Sequence, residues 1–237
     1  MAGWRVALLA AVVTCFGAAC GVVGPESPVV ERNVAVPMRD GVVLRANVWR
    51  PASGEPFPTL VYRTPYGKDA TEGWYTTHLR AVERGYAVVI QDVRGRYASD
   101  GEFSPYVNEG RDGFDSIEWA ARQPWSNGSV GTYGLSYPGA VQWLAAVESP
   151  PNLQAMVPAM TFSSGRRFFY SNGAWDLSWL AWVYNLIAPD TRRRLGLAGP
   201  VTGDEAAADW PRVAEGMRSF LPLASLPDLD SAAPFYT

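Results

Sequence analysis

The sequence predicts an α/β fold whose sheet is mostly parallel, with an antiparallel hairpin at its N-terminal edge. The hairpin is indicated by Asp40-Gly41, a turn pair that separates two runs of apolar residues, 29–38 and 42–49. In the second run every other residue is apolar, as expected when one face of a strand is buried. The parallel part is indicated by the alternation of short apolar strands and amphipathic helices that follows.

Each later strand candidate is a short apolar run that ends at a turn or a polar loop. The run at 86–90 is continuous and rich in β-branched residues, which is typical of a strand buried on both faces of a parallel sheet. Three further strands are predicted at 59–62, 129–133 and 152–158.

Three helices are predicted between these strands, at Thr77–Glu83, 109–123 and Tyr137–Val147. Gly85 ends the first helix and Pro124 ends the second, because glycine favours a helix C-terminus and proline cannot continue one. In the third helix Ala140, Leu144 and Val147 recur at helical spacing, which predicts a buried face.

The pattern changes after Thr161. Residues 168–188 are rich in aromatic side chains and are predicted to be helical, with Trp175, Trp179 and Trp182 at near-helical spacing. A weaker helix is predicted at 204–220, and no strand is predicted beyond Pro158.

The first 28 residues are predicted to lie outside the fold. Residues 1–19 combine Arg5 with an apolar run and small residues at a cleavage point, as in a signal peptide, and residues 20–28 form a tether. Small residues before Cys20 are similar to a bacterial lipoprotein signal, in which this cysteine would be lipidated. Simple secretion, with cleavage near Ala19, is the alternative. Either way we expect an exported protein, secreted or lipid-anchored at the cell surface.

The composition excludes several function classes. The formal net charge of -3 leaves no basic surplus for nucleic acid. One histidine and two cysteines, both in the leader region, cannot build a metal-ligand cluster, so no metal or other cofactor is predicted. Ten tryptophans and eleven tyrosines indicate aromatic-lined surfaces or an aromatic core.

The most informative stretch is 134–139, which reads Gly-Leu-Ser-Tyr-Pro-Gly between a strand and a helix. A serine on such a sharp turn, with small residues two before and three after it, has the pattern of a nucleophile elbow. The helix N-terminus behind Ser136 would supply partial positive charge where an oxyanion forms. The alternative is a glycine-rich turn that merely contains a serine.

Four segments resemble the cocaine esterase / X-Pro dipeptidyl-peptidase family (CocE/NonD type) of serine hydrolases. The longest is 119–139, which reads W-x4-PWSNGxVGxxGLSYxG; the others are 36–42, 63–66 and 91–95. The resemblance covers roughly residues 34–184. It implies an α/β-hydrolase fold with a helical cap after the strand that follows the elbow, and members that cleave esters, amides or X-Pro peptides.

The resemblance also implies a role for individual residues. Ser136 matches the nucleophile, while the backbone N–H of Tyr137 and the phenol of Tyr66 match the two oxyanion donors. From the residues alone, Tyr66 is better explained as an ordinary loop tyrosine. Three aromatic residues are predicted either to line an acyl pocket for a small ester, amide or short peptide or to form the core of the cap: Phe169, Trp175 and Trp182. Asp92, Arg94 and Arg96 are expected to form a structural charge network.

The sequence departs from the family pattern at the catalytic base. In α/β-hydrolases the acid and the histidine follow the serine along the chain. The only histidine here, His78, precedes Ser136 and is predicted to be a polar residue on a surface helix. We therefore expect residues 29–161 to be the N-terminal part of the hydrolase domain and 162–237 an incomplete cap. The later strands, the triad acid and base and a C-terminal jelly roll would be missing.

Three interpretations follow from this departure. The chain is a truncated part of an ordinary serine hydrolase and is inactive on its own, or it is an inactive truncated product in nature. The third interpretation is a non-catalytic secreted protein that binds ligands through the aromatic cap.

Overall fold

A computed structural model describes residues 27–219, and a six-stranded sheet forms its centre. The predicted leader, Cys20, most of the tether and residues 220–237 lie outside the described residues. The strands are β1 (Val29–Pro37), β2 (Val43–Arg50), β3 (Phe57–Thr64), β4 (Ala87–Asp92), β5 (Ser126–Leu135) and β6 (Leu153–Ala159). The helices that flank them are α1 (Lys68–Trp74), α2 (Thr77–Glu83), α3 (Glu109–Ala121) and α4 (Tyr137–Val147).

The strand pairing confirms the predicted mixed sheet. The spatial order is β1-β2-β4-β3-β5-β6. The pairs β1–β2 and β2–β4 are antiparallel, and the Asp40-Gly41 turn joins the first pair. The pairs β3–β4, β3–β5 and β5–β6 are parallel, so β3, β4 and β5 all end at the same edge of the sheet.

Alternation along β4 separates two apolar cores. Ala87 and Val89 pack into the core beneath α3 and α4, which includes Ile117. Val88 and Ile90 point the other way and pack against α2. All six residues of β4 are buried, because helices cover both faces of the sheet at this strand.

A buried ion pair ties α3 to the sheet. Arg63 lies on β3 and its Nη2 is 2.8 Å from Oε2 of Glu109, the first residue of α3; both side chains are only 4% exposed. Arg63 also donates through Nε to Oε1 of Gln91 and through Nη1 to the carbonyl of Glu109, each at 2.9 Å. These contacts supply the partners that buried charges require.

Beyond β6 the chain forms a separate group of short elements. They are α5 (Gly165–Phe169), β7 (Tyr170–Ser171), β8 (Ala174–Trp175), α6 (Trp179–Trp182), a π-helical turn (Val183–Ile187), α7 (Ala188–Leu195) and α8 (Gly203–Ser219). We call this group, residues 165–219, the cap.

The prediction of one helix over 168–188 with no strand beyond Pro158 was wrong. Strands β7 and β8 form a small antiparallel hairpin that places Trp175 on a strand, while Trp179 and Trp182 lie on α6. Asn172 and Gly173 connect the strands, and both have positive φ, 52° and 88°. An Asn-Gly pair favours this kind of hairpin turn, and here it overrides the helical spacing of the tryptophans.

Arg96 holds the cap over the edge where β3, β4 and β5 end. Its side chain is fully buried and donates from Nε to the carbonyl of Pro65 at 2.8 Å. Its Nη1 donates to the carbonyl of Ile187 at 2.8 Å and lies 3.6 Å from a carboxylate oxygen of Asp190. Its Nη2 donates at 3.2 Å to the carbonyl of Leu186, so one guanidinium joins the loop after β3 to the π-helical turn.

In the described part of the chain, none of the helices has the length and apolar character that spanning a bilayer would need.

Replacing Arg63 tests the buried ion pair. Arg63→Met would leave the carboxylate of Glu109 buried without its cation, so we expect a loss of about 3–5 kcal/mol in the free energy of unfolding. Denaturant unfolding followed by circular dichroism measures it. The control is Arg39→Met, since Arg39 pairs with Asp115 on the same helix but is 46% exposed; its expected loss is about 0–1 kcal/mol. Equal small losses in both variants would contradict the inference that the buried pair of Arg63 and Glu109 holds α3 on the sheet.

Candidate functional site

Ser136 lies on a sharp turn between β5 and α4. Its φ and ψ are 64° and -120°, a conformation that residues other than glycine seldom adopt. The side chain is exposed. The backbone is fixed on both sides: Ser136 N–H donates to the carbonyl of Ala159 on β6, and its carbonyl accepts from the N–H groups of Gly139 and Ala140. A strained and exposed serine that other elements hold in place has the geometry of a nucleophile elbow.

Two glycines make this turn sterically accessible. A Cβ on Gly134 would lie 2.5 Å from Cβ of Pro138, and a Cβ on Gly139 would lie 2.9 Å from the carbonyl oxygen of Ala159. Both distances are below ordinary van der Waals contact. Glycine at these two positions therefore lets β5, α4 and β6 approach closely enough to hold Ser136 in its exposed position on the turn.

Tyr137 is anchored through its side chain. The phenol is buried, donates to Oε1 of Glu109 at 2.9 Å and accepts from the N–H of Tyr106 at 3.1 Å. Burial raises the pKa of Glu109 above its ordinary value, and Arg63 opposes that shift. Because Tyr137 is the first residue of α4, its own N–H has no partner within the helix and lies beside Ser136.

Tyr66 lies in the loop that follows β3. The loop is held by the carboxylate of Asp92, which accepts from the N–H of Lys68 at 2.6 Å. The Tyr66 phenol accepts a hydrogen bond from Nε1 of Trp182 at 3.1 Å. Burial raises the pKa of Tyr66, and hydrogen bonds with Trp182 and then Ser136 oppose that shift. Since the Trp182 indole can only donate, the Tyr66 hydroxyl keeps its proton for a second partner near Ser136.

The charges at the strand ends form a structural network, as the sequence indicated. Asp92 is fully buried, and desolvation raises its pKa to about 6 although Lys68 lowers it. Arg94 joins Asp112, at 2.6 Å, to Asp40, at 2.9 Å. These contacts join the end of β4 and the loop after it to α1, to α3 and to the turn between β1 and β2, and none of them involves Ser136.

The three aromatic residues predicted for the cap line one cavity of about 420 Å³. Phe169, Trp175 and Trp182 contribute to it, together with Tyr106 and Trp179. Trp182 connects this cavity to Tyr66, because its ring lines the cavity while its N–H donates to the Tyr66 phenol. The cavity is therefore adjacent to the candidate oxyanion donor.

The structure corrects the prediction for His78. The residue is on α2, as expected, but it is only 4% exposed rather than at the surface. Its ring packs edge-on against Trp49 with a centroid distance of 4.9 Å, and burial lowers its pKa. Apolar contact explains the difference, because the imidazole completes the core beneath α2. Among residues 27–219, none of the hydrogen bonds described for Ser136 involves it.

Sequence reasoning missed the partners that hold these groups. Glu109 was predicted only as the first residue of the helix 109–123, whereas its side chain is buried and accepts a hydrogen bond from the Tyr137 phenol. Tyr106, which stacks on Tyr137 at a centroid distance of 4.3 Å, was not singled out at all. No spacing in the sequence distinguishes either residue from surface neighbours.

No group of three or more potential metal ligands occurs within residues 27–219.

An exposed serine between a parallel strand and a helix, with a helix N-terminus and a phenol beside it, matches the nucleophile-elbow geometry of the α/β-hydrolase class. Residues 40–216 match the X-Pro dipeptidyl-peptidase (S15) family, so the chain belongs to this family.

Two related sequences illustrate the relationship. Cocaine esterase from Rhodococcus sp. (strain MB1 Bresler) is 38% identical over 217 residues, which is 87% of this chain and 37% of that protein. A putative serine esterase from Mycobacterium bovis is 33% identical over 150 residues, 53% of this chain and 24% of that protein.

Solved structures agree with the fold. A CocE/NonD family hydrolase from Staphylococcus aureus superposes with a TM-score of 0.63 at 31% identity, over 69% of this chain and 34% of the other. An α-amino acid ester hydrolase gives a TM-score of 0.62 at 25% identity, over 75% of this chain and 33% of the other. The chain thus spans between 24% and 37% of the length of these four relatives.

A substitution at Gly134 tests the steric basis of the turn. Gly134→Ala would force Cβ against Pro138, so we expect a loss of about 1–3 kcal/mol in the free energy of unfolding. The matched control is Gly73→Ala on α1, where a Cβ would meet nothing within 4 Å. The control should be neutral or slightly stabilising, since alanine favours helix. Thermal unfolding of both variants makes the comparison, and an unchanged Gly134→Ala protein would refute the close packing.

Proposed function

We propose that this chain supplies the nucleophile and the oxyanion-binding groups of a serine hydrolase that cleaves carboxylic esters or amides through an acyl-enzyme. The observation that carries the proposal is the strained, exposed Ser136 beside the phenol of Tyr66, which Trp182 holds by a hydrogen bond. Because the Trp182 indole can only donate, the Tyr66 hydroxyl retains a proton that can reach a developing negative charge.

The mechanism begins with attack of Ser136 Oγ on the carbonyl carbon of the substrate. The carbonyl oxygen becomes an oxyanion, which the N–H of Tyr137 and the hydroxyl of Tyr66 stabilise by hydrogen bonds. Collapse of the tetrahedral intermediate breaks the ester or amide bond, releases the alcohol or amine and leaves an acyl group on Ser136. Attack by water then releases the acid and restores the serine.

The serine proton needs an acceptor, and we assign none among residues 27–219. His78 is buried against Trp49, and Asp92 and Glu109 are committed to Lys68, Arg63 and Tyr137. We therefore propose that the 237-residue chain alone acylates several orders of magnitude more slowly than a serine hydrolase with a complete triad. What remains is the contribution of the oxyanion donors and of binding.

The relatives define the substrate class that we propose. The names cocaine esterase, α-amino acid ester hydrolase and X-Pro dipeptidyl-peptidase describe ester and peptide hydrolysis in those proteins. The aromatic cavity next to Trp182 supports a small substrate with a flat apolar group for this chain.

Chemical rescue tests the role of Ser136. Incubation of the 237-residue chain with a fluorophosphonate should label Ser136 slowly, and added imidazole should accelerate the labelling because it supplies the proton acceptor. Peptide mass spectrometry identifies the labelled serine. Ser136→Ala should abolish the label, whereas Ser163→Ala, a change at another exposed serine after β6, should retain it.

Labelling distributed equally over several serines, or fast labelling without imidazole, would contradict this assignment in different ways. The first outcome removes the special status of Ser136. The second shows that a base within the chain already serves it.

Removing one hydroxyl tests Tyr66. Tyr66→Phe should slow imidazole-assisted labelling of Ser136 by about 100-fold, the usual effect of losing one oxyanion donor. The control is Tyr86→Phe, since Tyr86 is 36% exposed and precedes β4, at the end of the sheet opposite to Ser136. The rate is read from the time course of label incorporation. Equal rates for wild type and Tyr66→Phe would leave Tyr66 as an ordinary loop residue.

A further inference from the structure

Two adjacent arginines lie on α5 at the margin of the aromatic cavity. Arg166 and Arg167 are exposed and line an open groove of about 820 Å³ together with Ser164 and Asn172. Tyr170 lines both this groove and the aromatic cavity, so the groove adjoins the cavity at this residue. A ligand bound in the cavity would therefore have the two arginines next to it.

Within residues 27–219, no acidic side chain lines the groove or pairs with either arginine. No Asp or Glu is among the residues that line the cavity or the groove, and no ion pair described within residues 27–219 includes Arg166 or Arg167. The nearest acid along the chain, Asp176, accepts a hydrogen bond from the N–H of Ser178 at 2.9 Å. By contrast, Arg39 and Arg94 are each paired with a carboxylate.

The chemistry of these groups favours one class of ligand. A guanidinium binds a carboxylate through two parallel hydrogen bonds, whereas a substrate ammonium would meet two positive charges and no partner. Flat apolar groups are suited to a cavity walled by Phe169, Trp175 and Trp182.

We propose that the site prefers esters or amides that combine an aromatic ring with a free carboxylate, the ring in the cavity and the carboxylate on Arg166 and Arg167. The same arrangement disfavours substrates that present a free ammonium there. This inference rests on the proposed hydrolase function, because it names the substrate class of that site.

Ligand binding tests the preference without requiring turnover. Three esters of similar shape are titrated into the 237-residue chain: monomethyl terephthalate (anionic), dimethyl terephthalate (neutral) and methyl 4-(aminomethyl)benzoate (cationic). Quenching of tryptophan fluorescence reports binding, since three tryptophans line the cavity. We expect the anion to bind about tenfold more tightly than the neutral ester, and the cation to bind most weakly. Added salt should reduce the preference for the anion.

A pair of double variants separates the groove from overall charge. Arg166→Gln/Arg167→Gln should reduce the affinity for the anion to that of the neutral ester while leaving the neutral ester unchanged. Arg111→Gln/Arg122→Gln removes the same charge from two exposed residues, in and just after α3, and should keep the preference.

Equal affinities for the three esters, a preference for the cation, or an unchanged preference in the groove variant would overturn the inference. Selective labelling of Ser136 would be unaffected by any of these results, so the proposed function would stand. Loss of that labelling, with the anion preference intact, would instead remove the hydrolase function and with it the substrate assignment.

Discussion

The left-handed backbone at Ser136 is the constraint on which the rest of the site depends. Such a conformation costs of order 1–3 kcal/mol and persists only where the surroundings enforce it. Here the enforcement is mutual: the serine amide bonds to β6, its carbonyl starts α4, and glycines at 134 and 139 let strand and helix close around it. The placement of α4 against β5 and β6 and the exposure of the hydroxyl thus depend on the same close packing.

Buried charges connect this corner to its surroundings. Arg63 and Glu109 join the sheet to α3, and Glu109 then fixes the side chain of Tyr137. Arg96 joins the loop of Tyr66 to the cap in a similar way, since it donates to the carbonyl of Pro65 and to two carbonyls of the π-helical turn. The turn at Ser136, the loop of Tyr66 and the aromatic cavity therefore depend on two guanidinium groups that are buried away from water.

The sequence was sufficient for the parts that local patterns encode. The hairpin at Asp40-Gly41, the buried run in β4 and the turn around Ser136 each have a short-range signal, and the structure contains all three. Tertiary burial has no such signal. His78 and Glu109 are polar residues in amphipathic helices, and only packing against Trp49 and Tyr137 takes them out of solvent. The misread segment 168–188 shows two local signals in conflict, where Asn172-Gly173 prevailed over tryptophan spacing.

The π-helical turn between α6 and α7 has a consequence for how this segment can change in length. Each residue of an α-helix advances by about 100° around the axis. Deleting one residue from Val183–Ile187 would restore a regular helix but would rotate the indole of Trp182 by that angle relative to Asp190. The hydrogen bond from Trp182 to Tyr66 and the ion pair between Asp190 and Arg96 could then no longer form at the same time. Homologues should therefore tolerate insertions and gaps on either side of this turn far better than within it.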